Sequence, residues 1–155
     1  MQKISKNKVF KDLVIPVLIA AAIVFTFTRF FGIGLVDGHS MEPTYSSGRP
    51  FIYHKTTDVD RGDIVVFYTT KLKANLVKRV IAKGGDKLEL RDGNVYVNDT
   101  RVVEKYIKEK DTATNLKLTI PRGYIFVMGD NRNHSVDSRR FGLIASKYIY
   151  GKKVL

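Results

Sequence analysis

Apolar residues fill positions 13–28 without a charged side chain and without a polar face. At about 1.5 Å per residue, this stretch makes about 24 Å of helix, and the apolar character resumes after Arg29. A buried core helix of a soluble protein is one alternative, and it is disfavoured because no face of this stretch is polar. The pattern therefore predicts one membrane-spanning helix over residues 13–31. Its Pro16 fits such a helix, because helices in lipid tolerate proline.

A cleavable signal peptide is the alternative interpretation of this stretch. Such a peptide carries small residues just beyond its apolar core, where it is cut. Here the three alanines 20–22 lie inside the apolar stretch, and an Ile, a Val and a Phe follow them directly. A retained anchor is therefore the favoured interpretation.

The basic residues around the anchor predict its orientation. Four lysines precede it, at positions 3, 6, 8 and 11, whereas only Arg29 lies close to its other end. Positive charges collect on the cytoplasmic side of a membrane. We therefore expect a single-pass protein of the cell membrane, with a cytoplasmic basic tail over residues 1–12 and an extracytoplasmic domain over residues 32–155.

Short apolar runs rich in Val, Ile, Phe and Tyr recur through the rest of the chain, with turn residues between them. Asp92 and Gly93 form a strong hairpin-turn signal between two of the runs. The polar stretch 105–114 is expected to be a surface loop. The pattern predicts a mainly β domain, a barrel or sandwich of short strands, with strands at 51–54, 64–68, 76–82, 87–91, 94–97, 116–120 and 124–128.

Composition narrows the partners and the cofactors. The chain carries 27 basic and 15 acidic residues, a net charge of +12, and 22 − 14 = +8 of this lies beyond residue 36. A basic body suits an anionic phospholipid surface, and no motif of a nucleic-acid reader accompanies it. There is no Cys, the three His follow no metal-site pattern, and no phosphate-binding glycine motif occurs. No metal, cofactor or nucleic acid is expected.

Ser40 directly follows the anchor in the segment 38–44 and is a candidate nucleophile. A serine hydroxyl needs a base that removes its proton. His39 is its neighbour in sequence, and in an extended chain the two side chains point in opposite directions. His134, in a polar stretch near Asp137, leaves a Ser-His-Asp triad open as an alternative.

Lys78 is the other candidate base. In the predicted strand 76–82, alternation places Lys78 on one face with Leu76 and Val80, and Arg79 on the other face. If this is an inner strand, one of the two charges enters apolar surroundings, and lysine can lose its proton whereas arginine cannot. Burial lowers the pKa of a lysine toward the operating pH of a general base. An edge strand with both charges in water is the alternative.

A polar loop over residues 129–139 follows the last predicted strand. It is dense in side chains that form hydrogen bonds, and a buried base needs such partners to hold its nitrogen in place. A solvated turn is the alternative interpretation of this loop.

Taken together, these segments resemble the type I signal peptidases, membrane-bound serine proteases that remove signal peptides from secreted preproteins. The resemblance rests on the anchor, on Ser-Met-Glu-Pro-Thr at 40–44, on Arg-Gly-Asp-Ile-Val-Val-Phe at 61–67, on Lys-Arg-Val at 78–80, and on Gly-Asp-Asn-Arg through Ser-Val-Asp-Ser-Arg at 129–139. It implies a serine protease that uses no cofactor.

The resemblance also implies roles for individual residues. Ser40 is expected to attack as the nucleophile and to form an acyl-enzyme, with Lys78 as its general base. The family's substrate lies extended beside a strand and carries small residues around the cleaved bond, in the pattern Ala-x-Ala. The supporting residues are a hydroxyl that positions the lysine (Ser135), a structural ion pair (Asp137 with Arg139), a second arginine that pairs with either Asp130 or Asp137 (Arg79), and a residue lining the pocket for the side chain before the cleaved bond (Met41).

Two departures from the family pattern stand out. Some members carry a serine two positions before the nucleophile, where its hydroxyl helps to bind the oxyanion, but this chain has Gly38. The second oxyanion donor is therefore unassigned. Larger relatives also carry a second span and a larger β insertion, of which residues 86–99 look like a small remnant.

Two other functions compete with a signal peptidase. One is a membrane-tethered binding domain without enzymatic activity. The other is a self-cleaving serine–lysine protease of related design, a class whose members carry a DNA-binding domain and no membrane anchor. The apolar stretch 13–28 argues against the latter.

Overall fold

The computed structural model of the chain describes residues 10–154. Most of the predicted tail 1–12 lies outside these residues. Within them, the chain divides into two compact units, with the boundary between Gly32 and Ile33.

The predicted anchor is helical. A π-helical segment, Phe10–Val14, leads into helix α1, Ile15–Phe30. Together they span 21 residues with a mean hydropathy of 2.2 in the most apolar window, and none of that window is buried. A core helix of a soluble protein would be mostly buried, so that interpretation is disfavoured. By length and composition, the helix can cross a membrane.

Polar and helix-breaking residues in α1 are accommodated within the helix. Pro16 lies in the first turn of α1, directly after the π-helical segment. The hydroxyls of Thr26 and Thr28 donate to the carbonyls of Ala22 and Val24, at 2.8 and 3.0 Å. These back-bonds satisfy the hydroxyls without water.

The remaining elements are mainly short strands in two antiparallel sheets. A seven-stranded sheet has the order β1-β2-β11-β3-β4-β9-β10, and a four-stranded sheet has the order β7-β6-β5-β8. One short helix, α2, spans Ser138–Phe141, and 3-10 turns occupy Arg132–His134 and Ser146–Tyr148. The strands are β1 Phe31–Leu35, β2 Pro50–His54, β3 Ile64–Thr69, β4 Ala74–Lys83, β5 Lys87–Arg91, β6 Asn94–Val97, β7 Thr100–Arg101, β8 Leu116–Thr119, β9 Tyr124–Met128, β10 Ile144–Ala145 and β11 Ile149–Lys153.

All seven predicted strands are present, with ends within two residues of the prediction, and the expected mainly β fold is confirmed. Four strands were missed: β1, β7, β10 and β11. Strands β7 and β10 have only two residues each, too few to show an alternating pattern. Strand β1 continues the apolar character of the anchor, so the sequence does not separate the two elements.

Strand β11 was not predicted, although it is an inner strand that lies between β2 and β3. Its sequence, with a central glycine and two lysines, is not typical of a buried strand. The register shifts between Ile149 and Gly151 in its pairing with β3. A Cβ atom at Gly151 would overlap the His54 carbonyl of β2. The glycine therefore permits a close backbone approach, as glycines within sheets often do.

Among the described residues, the buried hydrophobic side chains form three clusters. The first covers one face of the seven-stranded sheet, the second joins the two sheets, and the third packs the loop after β1 onto β2 and β3. Strand β3 has buried side chains on both faces, so it serves the first and third clusters at once. The central members are Val65, Phe67, Val80 and Val127 in the first cluster, Leu88, Val95, Phe126 and Met128 in the second, and Met41, Tyr45, Phe51 and Val66 in the third.

Candidate active site

Ser40 lies in the loop between β1 and β2, and the backbone around it is fixed from two sides. Met41 is 1% exposed within the third cluster, and its carbonyl accepts from the Tyr45 N–H at 2.8 Å. Asn131 donates its backbone N–H to the Ser40 carbonyl and its side-chain amide to the His39 carbonyl, each at 3.1 Å. Because the loop is held in this way, the position of the Ser40 hydroxyl is defined.

Lys78 meets that hydroxyl. Its Nζ donates to Ser40 Oγ at 2.6 Å and to the Val77 carbonyl at 3.0 Å. Strand β4, which carries Lys78, pairs with β3 on one side and with β9 on the other. It is therefore an inner strand, the edge-strand alternative is wrong, and Lys78 is only 3% exposed.

Burial changes the acid–base behaviour of Lys78. Loss of water lowers the pKa of its amine from 10.5 to about 8, against the opposing pull of Asp137 and Asp130. About a tenth of the molecules then carry a neutral amine at pH 7. A neutral amine within hydrogen-bonding distance of a hydroxyl can accept its proton, which is the arrangement that general-base activation of a serine requires.

A cavity of about 120 Å³ opens beside these two residues. Met41 and Val77 form part of its wall, next to Ser40 and Lys78. A larger hollow of about 400 Å³ shares part of this wall and continues along β1 and β4. The shared residues are Leu35, Asn75, Leu76 and Val77. Ser40 therefore lies at one end of a groove bordered by β1 and β4.

The predicted ion pair of the polar loop is present. Arg139 donates to both carboxylate oxygens of Asp137, at 2.8 and 2.7 Å. Asp137 also accepts from the backbone N–H of Gly129 at 3.0 Å and is fully buried. As the N-cap of α2, it joins the start of the polar loop to its end.

Arg79 pairs with Asp130, which settles the choice that the sequence left open. Its guanidinium donates to the two carboxylate oxygens at 2.9 and 2.6 Å, and a third N–H donates to the Gly62 carbonyl at 2.9 Å. Thr44 donates its hydroxyl to the same Asp130 at 2.5 Å. Asp130 is fully buried, so these contacts balance a charge that water does not reach.

Ser135 lies close to the site without the expected contact. Its Oγ is buried, and no hydrogen bond joins it to any part of the chain that the structure describes. A Cβ atom at Gly129 would overlap both Ser135 Oγ and the Ser40 carbonyl. The structure therefore brings Ser135 next to the loop of the nucleophile, whereas hydrogen bonding to Lys78 stays a prediction.

Comparison with known proteins identifies the family. A family model described as "Signal peptidase, peptidase S26" matches residues 7–155. Signal peptidase I U of Bacillus subtilis (strain 168) is 33% identical over 97% of this chain and 88% of its own length. Signal peptidase I P of Bacillus subtilis subsp. natto is 39% identical over 93% and 86%. The crystal structure of a signal peptidase I from Enterococcus faecalis V583 matches with a TM-score of 0.55 and 28% identity, over 61% of this chain and 96% of that one.

The chain belongs to the signal peptidase family, peptidase S26. The resemblance that the motifs carried is thereby confirmed, and with it the assignment to a protease that cleaves signal peptides. A binding domain without activity and a self-cleaving protease are both disfavoured by this membership.

The sequence missed three partners of the signal peptidase site, all on the stretch expected to be a surface loop or directly beside it. Glu104 pairs with Arg132, and Asp111 pairs with Arg139. The ring of Tyr106 lies under the Arg79 guanidinium, 3.9 Å from it. The stretch forms no strand, as expected, but it is anchored to the polar loop. The sequence signal for this packing was Tyr106 itself, because it is an aromatic residue within a charged stretch.

Gly38 has an unusual backbone conformation, with φ at +87°. Its N–H donates to Ser47 Oγ at 3.1 Å, and a Cβ atom would meet nothing within 4 Å. A serine would fit sterically, but the left-handed φ favours glycine. The substitution that would supply the hydroxyl found in some relatives is therefore strained by the backbone.

Neither candidate histidine approaches Ser40 as a base. His39 Nδ1 pairs with Glu42 at 2.7 Å, and its side chain is 71% exposed. His134 is exposed in the 3-10 turn after Asn131. The Ser-His-Asp alternative is therefore not supported. Within residues 10–154, no group of three or more His, Asp or Glu side chains is placed to hold a metal ion.

Replacement of Lys78 by methionine should make the stability of the protein less dependent on pH. Between about pH 8 and pH 10.5, the unfolded chain holds the Lys78 proton more strongly than the folded one, so wild-type stability gains from rising pH in this window. Methionine has a similar volume and no proton. The free energy of unfolding of Lys78→Met, minus that of wild type, should fall by about 2–3 kcal/mol from pH 7 to pH 10.

Urea unfolding of the full chain in detergent micelles measures this difference. Lys71, exposed in the turn before β4, gives the matched control, because Lys71→Met should show no such trend. A difference that stays constant with pH for Lys78→Met would contradict a depressed lysine pKa.

Proposed function

We propose that this signal peptidase cleaves preproteins with a Ser40–Lys78 dyad. The observation that supports it best is the 2.6 Å hydrogen bond between Lys78 Nζ and Ser40 Oγ, made where the lysine is almost fully buried. The neutral amine takes the Ser40 proton as Oγ attacks the carbonyl carbon of the cleaved bond. The resulting ammonium then gives that proton to the departing amine.

This first half of the reaction leaves the signal peptide as an ester on Ser40, and the mature protein departs with a free amino terminus. Lys78, neutral again, takes a proton from a water molecule that attacks the ester. The ester bond breaks, and the proton returns to Ser40 Oγ. No cofactor is needed, because each proton moves between Lys78 and an oxygen or nitrogen of the reacting groups.

The supporting residues hold the dyad rather than react. Asp137 with Arg139 and Asp130 with Arg79 fix the polar loop, and Asn131 of that loop holds the backbone of Ser40. We assign Ser135 the role of a further hydroxyl for the lysine amine. The backbone N–H of Ser40 is the proposed first oxyanion donor, and at Gly38 no side chain is present to act as a second.

We further propose that the groove selects small residues in the pattern Ala-x-Ala. In an extended chain, alternate side chains point the same way, so the first and third residues before the cleaved bond would face the groove together. Met41 and Val77 narrow the cavity next to Ser40. Large side chains at these two positions would overlap its wall, while the residue between them points away.

The anchor places this site at a membrane surface in our proposal. Residues 13–31 span the bilayer, residues 1–12 stay in the cytoplasm, and residues 32–155 form the extracytoplasmic catalytic domain. The orientation is supported by the four lysines before the helix. Only a short stretch of chain separates the anchor from Ser40, so the nucleophile would stay near the lipid headgroups, where preproteins present their cleavage sites.

A lysine base predicts that cleavage rises with pH. The dyad works only with a neutral amine, so kcat/KM for a preprotein should increase through about pH 8, the pKa of Lys78, and level off above it. Ser40→Ala and Lys78→Ala should each lose at least about a thousandfold at every pH.

Cleavage of a labelled preprotein by the full chain in detergent, from pH 6 to pH 10, measures this profile. Lys71→Ala is the matched control and should retain both the rate and the profile. Activity that persists in Lys78→Ala, or a rate independent of pH, would refute the dyad.

Small-residue selection predicts an alternating response to substrate changes. Leucine in place of alanine at the first or the third position before the cleaved bond should lower kcat/KM about a hundredfold, because the longer side chain meets the groove wall. Leucine at the second position should change it little and serves as the matched control. Equal losses at all three positions would contradict the proposed groove.

The orientation can be read by labelling single cysteines, because the chain contains none of its own. In intact cells, a maleimide that does not cross membranes should label Lys71→Cys. It should label Lys6→Cys only after the membrane is broken, because that residue is expected to lie inside. The reverse pattern, or labelling of both in intact cells, would overturn the proposed topology.

A further inference from the structure

Residues 104–111 form no strand or helix. This segment contacts three arginines near the Ser40–Lys78 pair: Arg79, Arg132 and Arg139. Glu104 forms a bidentate pair with Arg132, at 2.5 and 3.0 Å, and both side chains are at most 5% exposed. Asp111 accepts from Arg139 at 2.7 Å. These two ion pairs fix the ends of the segment on the polar loop, and Tyr106 lies between them.

Tyr106 is placed against the third arginine. The Arg79 guanidinium lies over its ring, 3.9 Å from the centroid, a cation–π geometry. The Tyr106 hydroxyl donates to Glu104 at 3.0 Å. Burial raises the pKa of this phenol, so it stays a donor across the working pH range. The ring thus forms the outer cover of Arg79.

Arg79 in turn balances Asp130, the fully buried carboxylate beside the active site. Besides the two guanidinium contacts, Asp130 accepts only from Thr44 through its side chain, among the described residues. The segment holds the same residue from the backbone side, because the Lys108 N–H donates to the Asp130 carbonyl at 3.2 Å. If Arg79 turned outward, Asp130 would lose its only cationic partner among the described residues.

The charge on Asp130 matters because it acts on Lys78. Two buried carboxylates, those of Asp137 and Asp130, raise the pKa of Lys78. Each of them is held by one arginine. The amine also donates to the Ser40 hydroxyl and to the Val77 carbonyl, and Asp37 is exposed on the wall of the same cavity. Of the two buried carboxylates, Asp130 is the one whose arginine, Arg79, packs against the ring of Tyr106, a residue outside the family motifs.

We propose that Tyr106 is a positioning residue of this signal peptidase: its ring holds Arg79 on Asp130, and so keeps Lys78 available as a neutral amine beside Ser40. The proposal rests on the Ser40–Lys78 dyad and adds a residue that the motifs do not contain. Tyr106 touches neither Ser40 nor Lys78 and acts through Arg79 and Asp130.

The test compares Tyr106→Leu with Tyr106→Phe in the full chain, assayed on a labelled preprotein from pH 6 to pH 10. Leucine removes the ring face, so Arg79 turns toward water and the less balanced Asp130 strengthens the hold of Lys78 on its proton. The midpoint of the rise in kcat/KM should move up by about one pH unit, which lowers the rate at pH 7 about tenfold. The rates should converge with wild type at alkaline pH.

Tyr106→Phe keeps the ring and should keep the wild-type midpoint. Tyr124→Leu, a change at an exposed tyrosine of β9, is the matched control and should behave as wild type. A Leu variant with an unshifted midpoint, or a Phe variant shifted as far as the Leu variant, would overturn the proposal. If Tyr106→Leu does not fold, Tyr106→Met replaces it, because a flexible side chain fills the same space without a ring.

Failure of the dyad and failure of the Tyr106 role give different results. Loss of the dyad would show as activity in Lys78→Ala or as a flat wild-type profile. Loss of the Tyr106 role would show as an unshifted midpoint in a protein whose wild-type profile still rises with pH.

Discussion

A lysine amine removed from water, in contact with a serine hydroxyl, is the interaction on which the rest of this signal peptidase depends. Burial lowers the pKa of Lys78 to about 8, so that part of the amine is neutral near pH 7, but it costs the folded protein on the order of 3 kcal/mol at neutral pH. The fold meets this cost because β4 is an inner strand with neighbours on both sides. An exposed lysine would avoid this free-energy cost, but it would keep its proton at neutral pH.

For that amine to lose its proton, the negative charges of the buried carboxylates nearby must be offset by positive charges. Asp130 and Asp137 tie the polar loop together through backbone and side-chain contacts, yet each also favours the charged form of Lys78. Arg79 and Arg139 offset them with bidentate contacts. The two ion pairs therefore have two effects: they fix the polar loop, and they limit the electrostatic field of the carboxylates at the amine.

Much of this was predictable, because local pattern and composition determine it. Alternation along residues 76–82 separated Lys78 from Arg79, and lysine was the one of the two that could lose its proton. Seven of the eleven strands in the described residues followed from runs of β-branched and aromatic residues, and the helix followed from an apolar stretch without charges. The motifs at 40–44, 78–80 and 129–139 indicated the family, since their residue types and order are specific in combination.

Only the tertiary structure decided which groups meet across the chain. Sequence left Arg79 a choice between two carboxylates, and it presented Tyr106 as part of a polar loop, because a stretch without periodicity does not show what it packs against. Strand β11 was not predicted for a related reason. Its glycine is required by the close backbone of β2, and no local pattern indicates that contact. The sequence by itself determined most of the elements and the candidates for nucleophile and base. Long-range packing decided their partners, because those contacts join positions far apart along the chain.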